Sequence, residues 1–217
     1  MRICVAIKAT TTDETIEKML EAEEADLIEL RLDYRKEQLN LESIRVASAK
    51  PLIATNRRKD QGGYSEEPEN ERIRLLVDAV VAGFEMVDLS STTEQLPIQV
   101  RKVQGLGGKV IASYHDFKQA LDETQLEEIH DRLAETGCDK VKIIGWADSY
   151  KDNLPYLNYN RRNPGNIAFA MGEKGTTSRI LAPLAGAAYT YASLDEEVAA
   201  GQIPLQMLRE TYRSLEQ

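Results

Sequence analysis

The sequence predicts an α/β fold, a single (βα)8 TIM barrel over residues 1–217, and three observations carry that prediction. Short apolar β-type runs alternate with segments of helical period, about eight of each, and strand starts recur about every 20–35 residues, as βα units with short connections require. The length suits one such barrel, since chains of roughly 200–250 residues commonly close into a single domain of this kind. In LIELRLD (27–33), Ile28, Leu30 and Leu32 point to one side, and Glu29, Arg31 and Asp33 to the other. An open parallel sheet lies under helices on both faces and would bury those three charges, whereas a barrel sends them into its mouth. An exposed edge strand is the other setting that accommodates the alternation.

The elements follow in order. Ile3–Ile7 is an apolar run within a strand at 2–8. It is too short for a membrane span and lacks the pattern of a signal peptide, so the expected compartment is the cytoplasm. A helix at 13–25 starts from Asp13 as N-cap and groups Ile16, Met19 and Leu20. Strands at 27–33 and 52–56 flank a helix at 40–49. The helix at 68–83 has the clearest period, with Ile73, Leu76, Val77, Val80 and Val81 on one face and Gly83 ending it. Strands at 86–89, 110–114, 140–144, 166–171 and 187–192 alternate with helices at 94–105, 122–136, 150–162, 177–185 and 204–216. The polar stretches 60–70 and 194–204 each follow a strand, so both overhang the face where barrels place their chemistry, and either suits a lid.

A net charge of -9 argues against a nucleic-acid partner, which needs a basic face. It leaves room for a small anion, because a few local cations outweigh the global charge at short range. Cys4 and Cys138 both fall at strands and read as small buried hydrophobes. The two histidines and two cysteines lack metal-site spacing, so neither metal nor cofactor is expected.

Lys142 stands between Val141 and Ile143 in the middle of a strand, where lysine has low β-propensity and burial costs an ammonium its hydration. Amines in such settings serve as nucleophiles toward carbonyls. A snorkelling strand lysine is the ordinary alternative. Lys140, at the strand start, reads as structural. His115 ends the preceding strand, where barrels carry catalytic groups, and imidazole is the usual acid/base near neutral pH. His130, beside Glu127 and Glu128 on a helix, reads as solvated. Arg31, Arg57 and Arg179 each fall on or just past a strand end, and guanidinium forks grip carboxylates. MGEKGTTSRI (171–180) has glycines, yet their spacing matches neither a Walker A loop nor a dinucleotide fingerprint.

Taken together and in order, ELRLD, TNRRKDQGG, VDL, SYHDF, DKVKI, MGEKGTTSR and AGQI resemble the type I 3-dehydroquinate dehydratases from Ile3 to about Leu208. The resemblance implies a (βα)8 barrel and the shikimate-pathway step from 3-dehydroquinate to 3-dehydroshikimate, a syn elimination of water without metal or cofactor. By resemblance Lys142 forms the imine with the substrate ketone, and His115 serves imine formation, hydrolysis and proton transfer. Arg179 holds the substrate carboxylate, while Glu29, Arg31 and Arg57 contact hydroxyls and order the site. Gln202 is the lid glutamine, and Met171 and Tyr191 pack around the bound ring. A homodimer is implied as well. Three features depart from the family pattern: Gln61 stands where an acid usually orients the histidine, Ser90 where many members have Glu, and the lid has Val198 at a usually polar position and Ala200 where a Pro often precedes the Gly. An amide at position 61 would still accept the Nδ1 proton of His115.

Two other readings fit parts of the pattern. A Schiff-base aldolase would share the lysine but need a phosphate site, and a non-catalytic barrel would bind a carboxylate ligand without using Lys142 or His115.

Overall fold

The computed structural model describes residues 1–194 and 199–215. Eight parallel strands follow one another in the βα order: β1 (Ile3–Lys8), β2 (Leu27–Arg31), β3 (Leu52–Thr55), β4 (Met86–Ser90), β5 (Lys109–His115), β6 (Lys140–Trp146), β7 (Ile167–Met171) and β8 (Thr190–Ser193). The helices between them are α1 (Thr12–Glu21), α2 (Leu41–Val46), α3 (Glu69–Val81), α4 (Leu96–Gly105), α5 (Glu123–Ala134), α6 (Leu154–Arg162) and α7 (Thr176–Leu181), and α8 (Leu205–Leu215) follows the last strand. A two-residue strand, β9 (Ile203–Pro204), pairs with β8. The ladder runs β7-β6-β5-β4-β3-β2-β1-β8-β9, each strand beside its sequence neighbour, with β8 returning to β1.

Alternation along every strand sorts side chains into two cores. Outward residues such as Val5, Ile28, Leu30, Val87, Ala112, Val141, Ile143 and Ala168 pack under the helices. Inward residues form a second cluster with contributions from all eight strands, among them Cys4, Leu27, Ile53, Met86, Ile111, Ile144, Phe169 and Tyr191. That shared interior is the closed barrel, an apolar plug below and polar groups above. The charged half of LIELRLD lies inside, with Glu29, Arg31 and Asp33 all buried. The edge-strand alternative therefore falls.

Closure between β7 and β8 is of a different kind. They share no ladder; isolated bonds join them at the foot, Gly165 N–H to the Gly186 carbonyl (2.9 Å) and Ala188 N–H to that of Asn166 (2.9 Å). At the top, Gly172 N–H donates to the Ala200 carbonyl (3.3 Å).

Several details differ from the sequence reading. Thr11, not Asp13, caps α1, its hydroxyl accepting from Glu14 N–H at 3.3 Å. The helix ends at Glu21, and Leu20 faces solvent, 65% exposed. In α3, Val81 is 69% exposed because the apolar face rotates toward Arg72, Ile73, Leu76 and Ala79. His130 is half-buried rather than solvated, with Nδ1 2.7 Å from the Tyr159 hydroxyl. Lys140 donates to the Gly165 carbonyl (3.0 Å), a structural role as expected. Both cysteines are free, Cys4 fully buried with burial pushing its thiol up, and Cys138 partly so. No helix among the described residues is long and apolar enough to cross a membrane.

Candidate active site

The C-terminal ends of the strands enclose a cavity of ≈ 150 Å³. Its lining brings together Glu29, Arg31, Arg57, His115, Lys142, Met171, Arg179, Tyr191 and Gln202, the nine positions to which the family resemblance assigns a role. Ala6, Gly62, Phe117, Ile144, Trp146, Phe169, Ala199 and Ala200 complete the wall. Drug-sized pockets run to about 300–1,000 Å³, so this one fits a smaller, compact molecule. A wider open groove of ≈ 810 Å³ passes Asp33, Tyr64 and Asp78 on the outside, with neither a histidine nor Lys142 on it.

Alternation explains how the polar groups meet. On β6, Val141 and Ile143 face the helices, so Lys142 points inward and is 5% exposed. On β5, Ser113 pairs in register with Lys142, and His115 with Ile144. His115 thus stands two residues nearer the mouth than Lys142, about 6.6 Å of strand rise. Lys142 Nζ lies 3.1 Å from Asp88 Oδ2, 3.1 Å from the Tyr191 hydroxyl and 3.5 Å from Glu29 Oε2. Its partners are polar and ionic, whereas the sequence alone stressed the cost of burying it.

Asp88 is the group that sequence reasoning missed. It lies inside the VDL motif, and the inward set Met86, Asp88, Ser90 on β4 was the signal available. Its carboxylate accepts from Arg57 Nη2 (2.7 Å), the Ser113 hydroxyl (2.6 Å) and Lys142 Nζ. Burial alone would raise this carboxyl, but Arg57 and Lys142 outweigh it and hold Asp88 well below the usual carboxylate range. One carboxylate thereby ties the amine to a guanidinium.

Arg57 continues the chain to the histidine, its Nη1 lying 3.3 Å from His115 Nδ1. A guanidinium only donates, so Nδ1 is the acceptor and Nε2 carries the proton. Burial first, then the charges of Arg57 and Lys142, push His115 well below the ordinary histidine value, which makes it a neutral imidazole near pH 7. The sequence reading offered Gln61 as the partner of Nδ1; here Arg57 holds that place, and Gln61 closes the single turn Lys59–Gln61 beside it. Phe117 stacks on His115 (5.9 Å between centroids, 13°), and its ring lies against Gly62, whose φ of +73° favours glycine.

The other cations are held rigidly. Arg31 makes a fork to Asp33 (2.9 and 2.7 Å), and Asp33 also accepts from Tyr64 N–H (3.0 Å), which clips the loop after β3 to the end of β2. Arg179 comes from α7, is almost fully buried against Phe169, and donates to the Ala200 carbonyl at 3.3 Å. Gln202 Oε1 accepts from Ala199 N–H (3.3 Å), so the segment after β8 forms part of the wall. Val198 lies outside the described residues. Ser90 is buried, its hydroxyl 3.0 Å from that of Thr92. Four cations, Arg31, Arg57, Lys142 and Arg179, line the cavity, with Glu29 beside them and Asp33 and Asp88 paired behind, a concentration of positive charge that suits an anion. Among the described residues no group of His, Cys, Asp and Glu is arranged to hold a metal ion.

The family model described as type I 3-dehydroquinase matches residues 3–217. A 3-dehydroquinate dehydratase of Dehalococcoides mccartyi is 36% identical over 217 residues, covering 98% of this chain and 95% of that protein. The one from Pyrococcus abyssi is 33% identical, with 95% of each covered. Among solved structures, 3-dehydroquinate dehydratase from Geobacillus kaustophilus superposes with a TM-score of 0.89 at 22% identity, covering 99% of this chain and 91% of that one. A 3-hexulose-6-phosphate synthase shares the fold more loosely, with a TM-score of 0.58 at 17% identity over 89% of this chain and 90% of that one.

Proposed function

The chain belongs to the type I 3-dehydroquinase family, and we propose that it converts 3-dehydroquinate to 3-dehydroshikimate plus water through a Schiff base on Lys142. One observation carries the reading: a buried amine and a neutral imidazole line one small cavity and are joined through Asp88 and Arg57.

The substrate carboxylate lies against Arg179, a buried guanidinium on the cavity wall, with Gln202 over it. Glu29, Arg31 and Arg57 take the hydroxyls, while Met171 and the Tyr191 ring pack on the carbocycle. With its proton handed to His115, Nζ attacks the ketone carbon and the carbonyl π pair moves to oxygen. Loss of that oxygen as water leaves a protonated imine, whose N–H and positive charge face Asp88 and Glu29. The imine is the electron sink. His115 removes the adjacent proton, the C–H pair flows toward nitrogen, and the resulting enamine expels the β-hydroxyl as water, protonated by the same imidazole. Hydrolysis of the imine returns Lys142.

On this reading the whole of 1–217 is one barrel domain, and the enzyme works in the shikimate pathway, in the cytoplasm, as a homodimer; resemblance to the family supports these points. The test is chemical. Borohydride added with 3-dehydroquinate leaves one ligand-derived mass on the peptide carrying Lys142, and Lys142→Ala abolishes both the adduct and the ultraviolet absorbance of the enone product. An adduct on Lys140, or turnover surviving in Lys142→Ala, would overturn the proposal.

A further inference from the structure

The contacts of Tyr191 go beyond packing. Its hydroxyl lies 3.1 Å from Lys142 Nζ, as close as Asp88 does, and the residue is buried on β8 opposite Cys4 of β1. Of the three groups within 3.5 Å of Nζ among the described residues, Asp88 and Glu29 are ion-pair carboxylates, which only accept hydrogen bonds. Tyr191 alone of the three both accepts and donates. We propose that the Tyr191 hydroxyl is a catalytic proton relay between Nζ and the substrate oxygen during imine formation, an inference that rests on the Schiff-base reading.

A group so close to Nζ gives the step a short proton path alongside the part His115 plays. Attack by the neutral amine forms the C–N bond and sends the carbonyl π pair to oxygen, leaving an ammonium nitrogen bonded to the carbon that carries an alkoxide. A proton must then pass from nitrogen to oxygen, and direct transfer across N–C–O closes a strained four-membered ring. Through the phenol the ring has six members. The nitrogen's proton moves to the tyrosine oxygen as the tyrosine's own proton moves to the alkoxide, so the neutral carbinolamine forms and the phenol is regenerated. No outside acid or base is consumed.

Two further observations fit a relay rather than a net acid. Burial first, then the charge of Glu29, pushes the Tyr191 hydroxyl well above the ordinary tyrosine value, so a standing phenolate is disfavoured and its proton must be replaced as it leaves. The ring is also fixed: it packs at 57° against Phe169 (6.1 Å) and at 67° against Tyr189 (5.6 Å), and Nζ stands 4.4 Å from its centroid. These ring contacts survive in Tyr191→Phe, which removes only the oxygen.

The experiment mixes wild type and Tyr191→Phe with 3-dehydroquinate, quenches with borohydride over milliseconds to seconds, and follows the adduct by intact mass. Adduct growth in Tyr191→Phe is expected to slow at least tenfold while KM stays within twofold. Repeating the wild-type measurement in mixtures of light and heavy water should give a bowed dependence on deuterium fraction, from two protons in flight; the variant should give a straight line. Adduct growth within twofold of wild type, or a straight line for wild type, overturns the relay. Should Tyr191→Phe fail to fold, the wild-type isotope curve decides alone. Wild type that forms no Lys142 adduct at all sinks the Schiff-base reading and the relay together; an adduct at unchanged rate in the variant sinks the relay only.

Discussion

Replacing Asp88 by Asn tests how the buried charges support one another. The carboxylate accepts from Arg57 (2.7 Å), Ser113 (2.6 Å) and Lys142 (3.1 Å), and all four residues are buried. Removing one partner of a buried ion pair costs about 3–5 kcal/mol, because the remaining charge stays desolvated without compensation. For a chain of this length that corresponds to a fall in Tm of roughly 6–20 °C, at about 2–4 °C per kcal/mol. The pH dependence gives the sharper check. Asp88 is depressed in the folded state, so its stabilisation is fully present above the unfolded aspartate value and is lost as pH falls toward the folded one. With an unfolded pKa of about 3.9, the wild-type advantage should shrink by about 0.7 kcal/mol between pH 6 and pH 3.5. Urea unfolding of both proteins at the two pH values measures this. A gap that is small at pH 6, or that widens on acidification, would refute the ionised, charge-coupled carboxylate.

Two further outcomes are expected. The acid limb of the kcat/KM profile should fall below about 6.5, the ordinary histidine value, because burial and then Arg57 and Lys142 disfavour the imidazolium of His115; Arg57→Leu should raise that limb part of the way back, and a wild-type limb at or above the ordinary value would contradict the assignment. Gly201→Ala should raise KM several-fold and lower Tm, since its φ of +76° disfavours a side chain by about 1–2 kcal/mol and a Cβ would stand 2.5 Å from the Gly172 carbonyl oxygen; unchanged steady-state kinetics and an unchanged melting curve would show that the turn before Gln202 tolerates the change.

The alternating pattern of βα units was legible because each strand is a short apolar run, and because LIELRLD cannot bury its charges except in a barrel mouth. Lys142 was legible for the same reason, an amine between two core residues. Asp88 was not, since a three-residue motif shows no alternation until the strand is known to reach from Met86 to Ser90. The partner of His115 was misread because contacts between Arg57 and His115 join positions 58 residues apart, and local sequence carries no trace of them. Helix faces were placed to within a residue or two. Leu20 and Val81 lie outside because each helix ends one turn earlier than its apolar period or presents a slightly rotated stripe.

The join between β7 and β8 has a consequence for the way ligand and scaffold depend on each other. Seven neighbouring pairs of the eight main strands are zipped by continuous ladders, but among the described residues this eighth boundary is fastened at its ends, and its upper fastening is the backbone of Ala200, which takes hydrogen bonds from Gly172 and from Arg179. The guanidinium proposed to grip the substrate therefore also grips the clasp of the cylinder. If a bound molecule holds Arg179 and Gln202 in place, that boundary should be held with them, and amide exchange at Gly172 is expected to slow when the site is filled. On the proposed reading, grip and keystone share a residue, so a variant that loosens the hold on the ligand should also loosen the wall around it.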